Sequence, residues 1–168
     1  MAELRVEANT IADYLSKNHF LIPMYQRNYV WGEDECGQLW DDIYHFYKNK
    51  TDDDEYFLGS MVIYAENKVQ NIIDGQQRTT TLLLLIRALY EKAKGQKKEN
   101  VDKLKDSLAN CLWDTHRRTG EIFYEKTHLK SEVATDKDSE KLENLFKDEI
   151  KIDEKDKKLS LYEKNYLY

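Results

Sequence analysis

The sequence predicts an α+β or α/β domain with a small sheet, packed helices and a second half that is mainly helical. Strand-like stretches are mixed with helical stretches in the first half, and helical spacing of apolar residues dominates the second half. The chain has 168 residues, of which 40% are hydrophobic, so one domain can bury a core of ordinary size. We expect a core at residues 1–95 and a mainly helical extension of the same domain at residues 96–168.

Each predicted element has its own signal. Thr10 can cap a short helix that runs to about residue 17. Residues 19–24 predict a strand that Pro23 places at a sheet edge or at the strand end, and residues 25–31 follow as a loop of aromatic and polar groups. Apolar residues at helical spacing predict further helices at 33–48, 76–94, 101–112 and 138–148. Strand-like patterns cover residues 57–64, 68–73 and 121–129, with a hairpin turn at Glu66 and Asn67.

Composition restricts the classes of partner. The formal net charge is −6, so bulk charge does not hold nucleic acid, and a DNA or nucleotide contact needs a local basic site. Cys36 and Cys111 lie in helical stretches and are expected to be reduced core residues of a cytoplasmic protein. No apolar run reaches 18 residues, so a membrane span is not expected. Aromatic residues at 165–168 predict a chain cut from a longer one, unless they pack on the core as a natural end.

A short segment between a strand and a helix is the candidate binding site. The predicted strand ends at Ile73, and the helix begins soon after it, so Gln76, Gln77 and Arg78 lie in the first turn. Free backbone N–H groups and the positive end of the helix dipole favour an anion there, and a guanidinium group suits phosphate. Gly75 allows a ligand to approach the backbone closely. These residues predict a phosphate site.

A purely structural interpretation of the same segment stays open on spacing alone. Asp74 and Gln77 have the spacing of a capping box, in which Asp74 would be the N-cap and Gln77 the third helical residue. The pattern Gly-x-x-x-x-Gly-Lys-Ser/Thr is absent from the sequence, which excludes an ordinary P-loop.

Three blocks of residues, in a fixed order, resemble a known family. The blocks are Ile22, Pro23, Tyr25, Gln26, Arg27, Tyr29 and Trp31, then Phe57, Leu58, Gly59 and Ser60, then Ile73, Asp74, Gly75, Gln76, Gln77, Arg78, Thr80, Thr81 and Leu82. They resemble the DGQQR-motif domain family, which forms the N-terminal domain of GmrSD-like type IV restriction enzymes and of SspE-like phosphorothioate-sensing defence proteins. The resemblance covers about a third of the chain and implies a fold like that of the ParB/sulfiredoxin superfamily.

The resemblance implies a nucleotide site that is built from these blocks. Members of the family bind and hydrolyse nucleoside triphosphates (GTP, UTP or another) with Mg²⁺, and they sense modified DNA or couple hydrolysis to it in anti-phage defence. By this resemblance Asp74, Gln77 and Arg78 are the catalytic candidates, and Asp74 is assigned to the metal or to water. The implied nucleotide-binding residues are Tyr25, Gln26, Arg27, Gly75, Gln76, Gln77, Arg78 and Thr80.

The resemblance also implies a C-terminal HNH-type nuclease domain, but the sequence shows no paired His and Asn of such a site. The histidines at positions 19, 45, 116 and 128 are scattered, and each is expected to be a surface or hydrogen-bonded residue. The expected function is therefore a nucleoside-triphosphate-binding and hydrolysing regulatory domain of a modification-dependent restriction protein, without its nuclease. The alternative is a binding module that recognises modified DNA or a nucleotide without turnover. A sulfiredoxin-like redox enzyme is disfavoured because neither cysteine adjoins the candidate segment.

Aromatic and basic side chains elsewhere each have two interpretations. Tyr25, Tyr29 and Trp31 could form a stacking wall for a base, or Tyr29 and Trp31 could pack on the following helix. Trp40 lies in the apolar stripe of the helix at 33–48 and is expected in the core. The basic residues at 116–118 could contact a DNA phosphate, but a solvated loop is the favoured interpretation.

Overall fold

The computed structural model describes residues 5–96, 98–133, 137–156 and 158–168, without the side chain of Glu99. Within these ranges the chain forms six helices, a mixed sheet of four strands and a small sheet of two strands, which confirms the predicted α+β class. The helices are α1 Ile11–Ser16, α2 Glu33–Asn49, α3 Gln76–Lys94, α4 Glu99–Leu112, α5 Ser139–Leu145 and α6 Leu161–Leu167. The strands are β1 Phe20–Ile22, β2 Val62–Glu66, β3 Val69–Asp74, β4 Trp113–Thr115, β5 Ile122–Thr127 and β6 Leu129–Ser131.

The larger sheet has the strand order β2-β3-β1-β6. The short strand β1 pairs in parallel with both β3 and β6, whereas β2 and β3 form an antiparallel hairpin. The hairpin turn contains Asn67 and Lys68, which both have a positive φ, as tight hairpin turns require. The predicted turn is therefore displaced by one residue. Pro23 directly follows β1, which confirms a strand end there and not a sheet edge.

The helix α3 runs through the core, as its continuous apolar stretch predicts. Its bounds agree with the predicted range of residues 76–94. Leu82, Leu83 and Leu84 are buried, and the helix contacts both α4 and α6. The N-terminus of α3 directly follows β3, so this helix and strand determine the position of the candidate segment.

Arg87 is fully buried in α3. Its Nε donates a hydrogen bond to the carbonyl oxygen of Leu145 at 2.9 Å, and its Nη2 donates one to the carbonyl oxygen of Lys147 at 3.0 Å. Its Nη1 lies 2.6 Å from a carboxylate oxygen of Glu91, and its guanidinium lies over the ring of Trp113. The charge is thereby compensated, and α3 is bonded to the last residue of α5 and to the segment that follows it.

The predicted strand at residues 57–64 is wrong in its first half, because β2 begins only at Val62. The φ of Gly59 is +100°, which lies outside the extended region and is readily adopted only by glycine. Phe57 is 81% exposed and does not join the sheet. Residues 57–61 therefore form a loop that leads into β2.

The prediction that Trp40 lies in the core is also wrong. Its side chain is 42% exposed, and its ring stacks on Tyr44 with 6.0 Å between centroids. The buried face of α2 is formed by Cys36 and Leu39. Trp40 is one residue further along, which rotates it by about 100° around the helix, so it lies beside that face.

Two predicted elements in the second half have different bounds. The stretch predicted as one strand at 121–129 divides at His128 into β5, which pairs with β4, and β6, which pairs with β1. The helix predicted at 138–148 is α5, and it ends at Leu145. Leu142, Leu145 and Phe146 are buried, as predicted.

Both cysteines are free and buried, as predicted. Burial raises the pKa of the Cys36 and Cys111 thiols, so both keep their protons at neutral pH. The Sγ of Cys36 lies 3.7 Å from the hydroxyl oxygen of Tyr29. Cys36 therefore lies closer to the candidate segment than its position in the sequence indicates. A protonated, buried thiol is a poor nucleophile, so a redox function gains no support from this proximity.

Candidate functional site

A glycine in the left-handed conformation connects β3 to α3. Gly75 has a φ of +90° and is the N-cap of α3, so the predicted capping box with Asp74 as the N-cap is wrong. A Cβ at Gly75 would lie 2.9 Å from the Cγ of Met61, so a larger residue meets both strain and a clash. Asp74 is the last residue of β3, and its side chain is exposed. The turn thus presents a carboxylate directly before the first helical turn.

The side-chain amides of Gln76 and Gln77, in the first turn of α3, form hydrogen bonds with the backbone of the 25–31 loop (residues 25–31). The Nε2 of Gln76 donates to the carbonyl oxygen of Arg27 at 2.9 Å. The Oε1 of Gln77 accepts from the N–H groups of Val30 at 2.8 Å and of Trp31 at 3.2 Å. The Nε2 of Gln77 also donates to the carbonyl oxygen of residue 28 at 3.0 Å. Both glutamines are buried, and the two predicted signatures do meet.

The same loop is bonded to β3 at its beginning. The Nε2 of Gln26 donates to the carbonyl oxygen of Ile73 at 2.9 Å and lies 3.3 Å from that of Ile72. This contact holds the loop beside the end of the strand that leads into Gly75. The position of Gln26 therefore depends on the same backbone that positions the candidate segment.

Tyr29 fixes the middle of the 25–31 loop in the core. Its hydroxyl is 2.7 Å from the Oγ1 of Thr81, and it accepts a hydrogen bond from the Nδ2 of Asn165 at 2.9 Å. Its ring stacks on Tyr162 with 4.9 Å between centroids, and burial raises the pKa of its hydroxyl. Tyr29 is therefore a packing residue. Among the three aromatic residues of the loop, Tyr25, which is 67% exposed, is the one available to stack on a base.

Arg78 is supported by the loop that precedes β2. Its Nη1 lies 3.4 Å from the carbonyl oxygen of Ser60, and its guanidinium lies directly against Gly59. A Cβ at Gly59 would lie 2.8 Å from this Nη1 atom, so glycine is required both for its φ and for this approach. Gly59 and Ser60, which belong to the second block of the sequence resemblance, therefore support the guanidinium group of Arg78, which belongs to the third block.

A narrow cleft runs beside the two glutamines. It encloses about 170 Å³ of space that is too narrow throughout to admit a water molecule, whereas typical small-molecule pockets hold roughly 300–1,000 Å³. The Oγ of Ser131, which lines it, is buried without a hydrogen-bond partner within the described residues. The lining residues are Ile22, Arg27, Tyr29, Gln76, Gln77, Thr80, Ser131, Val133 and Tyr162. A ligand larger than a water molecule would lie outside this cleft or would have to widen it.

A second group of polar residues, which the sequence does not indicate, gathers around Asp114. The residues at 116–118 and Lys126 line an open concavity together with Asp114. His19 and His128 approach the same carboxylate, although they are 109 positions apart in the sequence. Burial, followed by the charge of His19, lowers the pKa of His128. No sequence spacing marks this group, because its members come from three separate segments.

These features define an α+β domain in which a strand–glycine–helix turn presents an arginine and a carboxylate, and in which buried amides fix a neighbouring loop. Comparison with protein families matches residues 11–168 to the GmrSD restriction endonuclease, N-terminal domain. The chain therefore belongs to this family. A search of curated proteins gave no significant match.

No helix in the described ranges has both the length and the apolar character that a membrane span needs.

Proposed function

We propose that this restriction-protein module binds a nucleoside triphosphate with Mg²⁺, hydrolyses it, and so regulates the cleavage of modified DNA in the cytoplasm. The observation that carries the proposal is the hydrogen bond from Gln76 to the Arg27 carbonyl, because it joins the two arginine-containing signatures at one helix N-terminus. Triphosphate oxygens are suited to the free N–H groups of such a turn and to guanidinium groups.

Each side chain has a role that its position supports. Arg78, held by Ser60 and Gly59, is placed to stabilise charge on the transferring phosphoryl group. Arg27 is exposed and supplies a second cation from the loop. Asp74 offers one carboxylate, and Mg²⁺ commonly binds through one or two carboxylates together with substrate phosphates.

Gln76 and Gln77 have different roles in the proposed reaction. Both ends of the Gln77 amide are used to hold the 25–31 loop, so its contribution to catalysis is to fix that loop. Gln76 uses its Nε2 in the same way, and within the described residues its Oε1 has no hydrogen-bond partner. We therefore assign the orientation of the attacking water to Gln76. Thr80 lines the cleft beside it.

The test is nucleotide binding by an Arg78→Ala variant. A charge-assisted contact is worth roughly 1.5–3 kcal/mol, so affinity should fall by about 10- to 100-fold. Isothermal titration of GTP, UTP, ATP and CTP with Mg²⁺ measures this, and Arg118→Ala, on an exposed turn elsewhere, is the matched control. Affinity equal to that of the parent chain in Arg78→Ala would contradict the assignment.

The second candidate function is recognition of modified DNA without turnover. The small cleft volume and the exposed ring of Tyr25 favour it, because an exposed aromatic ring can stack on a base. It predicts binding to modified duplexes, weakened by Tyr25→Ala, with no phosphate release from any triphosphate. A phosphate-release assay with and without modified DNA separates the two functions. In both cases an HNH-type nuclease domain outside this chain would cut the DNA.

A further inference from the structure

Three potential metal ligands converge at the junction of the two sheets. His19 lies just before β1, Asp114 lies in β4, and His128 lies between β5 and β6. The Nε2 of His19 is 2.9 Å from the Oδ1 of Asp114, and the Nε2 of His128 is 3.4 Å from the same oxygen. All three ligand atoms lie within 4.8 Å of one another. The cluster is separate from Gln76, Gln77 and Arg78.

The orientation of His128 favours a cation at this point. Its Nδ1 lies 3.1 Å from the carbonyl oxygen of Leu15, and since a carbonyl only accepts, Nδ1 carries the proton. In the neutral ring Nε2 is then a lone-pair acceptor, and it faces the carboxylate of Asp114, which is also an acceptor. His128 is only 4% exposed, so bulk water does not separate the two. An imidazole that donates its other N–H to a backbone carbonyl is the usual arrangement of a metal-bound histidine.

We propose that His19, Asp114 and His128 bind a divalent transition-metal ion, with Zn²⁺ as the best fit. Two Zn–ligand bonds of about 2.0–2.1 Å at a tetrahedral angle hold the ligand atoms about 3.3–3.5 Å apart. The separation between His128 and Asp114 already has this value. His19 and Asp114 must separate by a few tenths of an ångström, and both side chains are partly exposed, so they have room to move.

The donor set determines which ions fit. Mg²⁺ and Ca²⁺ prefer all-oxygen ligands, whereas two imidazoles and one carboxylate suit Zn²⁺ and its neighbours in the first transition row. Three protein ligands leave a fourth tetrahedral position for water or another ligand. This site therefore differs in ion and in place from the Mg²⁺ that would accompany a nucleotide at Asp74.

The bound ion would link the two sheets near the point where the chain passes from β5 to β6. His19 leads into the central strand of the larger sheet, whereas Asp114 belongs to the two-stranded sheet. Asp114 also lines the open concavity that contains Arg117 and Lys126. An ion on Asp114 would add two positive charges at the edge of that concavity and would cross-link the sheets.

The experiment titrates the 168-residue chain, stripped of metal by a chelator, with Zn²⁺ by calorimetry. Co²⁺ titration is followed in parallel by visible absorption, which reports tetrahedral coordination. We expect one equivalent of Zn²⁺ to bind and to raise the melting temperature. His19→Ala and Asp114→Asn should each weaken binding at least about tenfold, since even residues behind metal ligands contribute 10- to 100-fold.

His45→Ala is the matched control, because the ring of His45 bonds to its own helix at Asp41, and it should bind Zn²⁺ like the parent. His128→Gln should also lose binding, but its burial makes a folding defect possible. The partly exposed His19 and Asp114 therefore decide the question, with circular dichroism confirming that their variants are folded. The proposal is overturned if the parent chain binds no stoichiometric Zn²⁺. It is overturned equally if His19→Ala and Asp114→Asn both bind as the parent does.

Discussion

Replacing Gln77 with leucine removes the side chain that holds the 25–31 loop to α3. The N–H groups of Val30 and Trp31 lose their acceptor, and the carbonyl of Asn28 loses its donor from the Gln77 amide. Each buried polar group left unpaired costs about 1–3 kcal/mol. These three groups are half-buried, so water can reach some of them after the loop relaxes. Leucine has a similar volume and adds little cavity cost, so we expect the free energy of unfolding to fall by about 2–4 kcal/mol.

Urea denaturation followed by circular dichroism measures this change. A loss of that size is a large part of the roughly 5–15 kcal/mol that stabilises a typical domain. With a denaturant slope of about 2 kcal/mol per molar urea, in the middle of the usual range, the midpoint should shift by about 1–2 M. The matched control is Gln96→Leu, because Gln96 is an exposed glutamine just beyond the other end of the same helix. The reasoning is refuted if Gln77→Leu costs less than about 0.5 kcal/mol, or if the control loses as much.

Three further variants test other contacts. Arg87→Met should lower the free energy of unfolding by about 2–4 kcal/mol, because the carbonyl oxygens of Leu145 and Lys147 lose their donor and each buried polar group left unpaired costs about 1–3 kcal/mol. Lys92→Met on the exposed face of α3 should change it little in the same urea assay. Gly59→Ala should destabilise the fold by at least about 1 kcal/mol and should weaken nucleotide binding through Arg78. An unchanged free energy of unfolding together with an unchanged nucleotide affinity would show that Gly59 does not support Arg78. Burial opposes ionisation of Glu163, but hydrogen bonds from Ser160 and Lys141 to the carboxylate lower its pKa. The ionised carboxylate therefore stabilises the fold above about pH 4.5, and this contribution is lost as the pH falls through the lowered pKa. Glu163→Gln should thus cost about 1 kcal/mol at pH 7 and nearly nothing in strong acid, as measured by urea midpoints across pH.

Elements with a strong local signal were predictable from the sequence. The range of α3 follows from a long apolar stretch that begins after Gly75, and the end of β1 follows from Pro23. Errors occurred where tertiary packing decides the outcome. Trp40 has helical spacing but lies beside the buried face of α2, and residues 57–61 look apolar but contain Gly59 in a left-handed conformation.

The candidate site was predictable in its parts but not in its connections. The family resemblance implied that the two arginine-containing blocks lie together, and the hydrogen bond between Gln76 and the carbonyl of Arg27 joins them. The sequence did not indicate that Gln77 is occupied by loop backbone, because the bonded residues are 46 to 49 positions away. The cluster of His19, Asp114 and His128 was not predicted for the same reason, since only the folded sheets bring those positions together.

The hydrogen bonds of Arg87 have a consequence for how this protein folds. The side chain belongs to α3, whereas the carbonyl groups that accept from it lie at residues 145, 147 and 148. A nascent chain cannot complete the hydrogen bonds of Arg87 until those residues have been synthesised, because within the described residues the backbone carbonyls that accept from its guanidinium group all lie there. We therefore expect residues 1–95 and 96–168 to unfold in one cooperative transition. Truncation before residue 145 should give an expanded, aggregation-prone fragment.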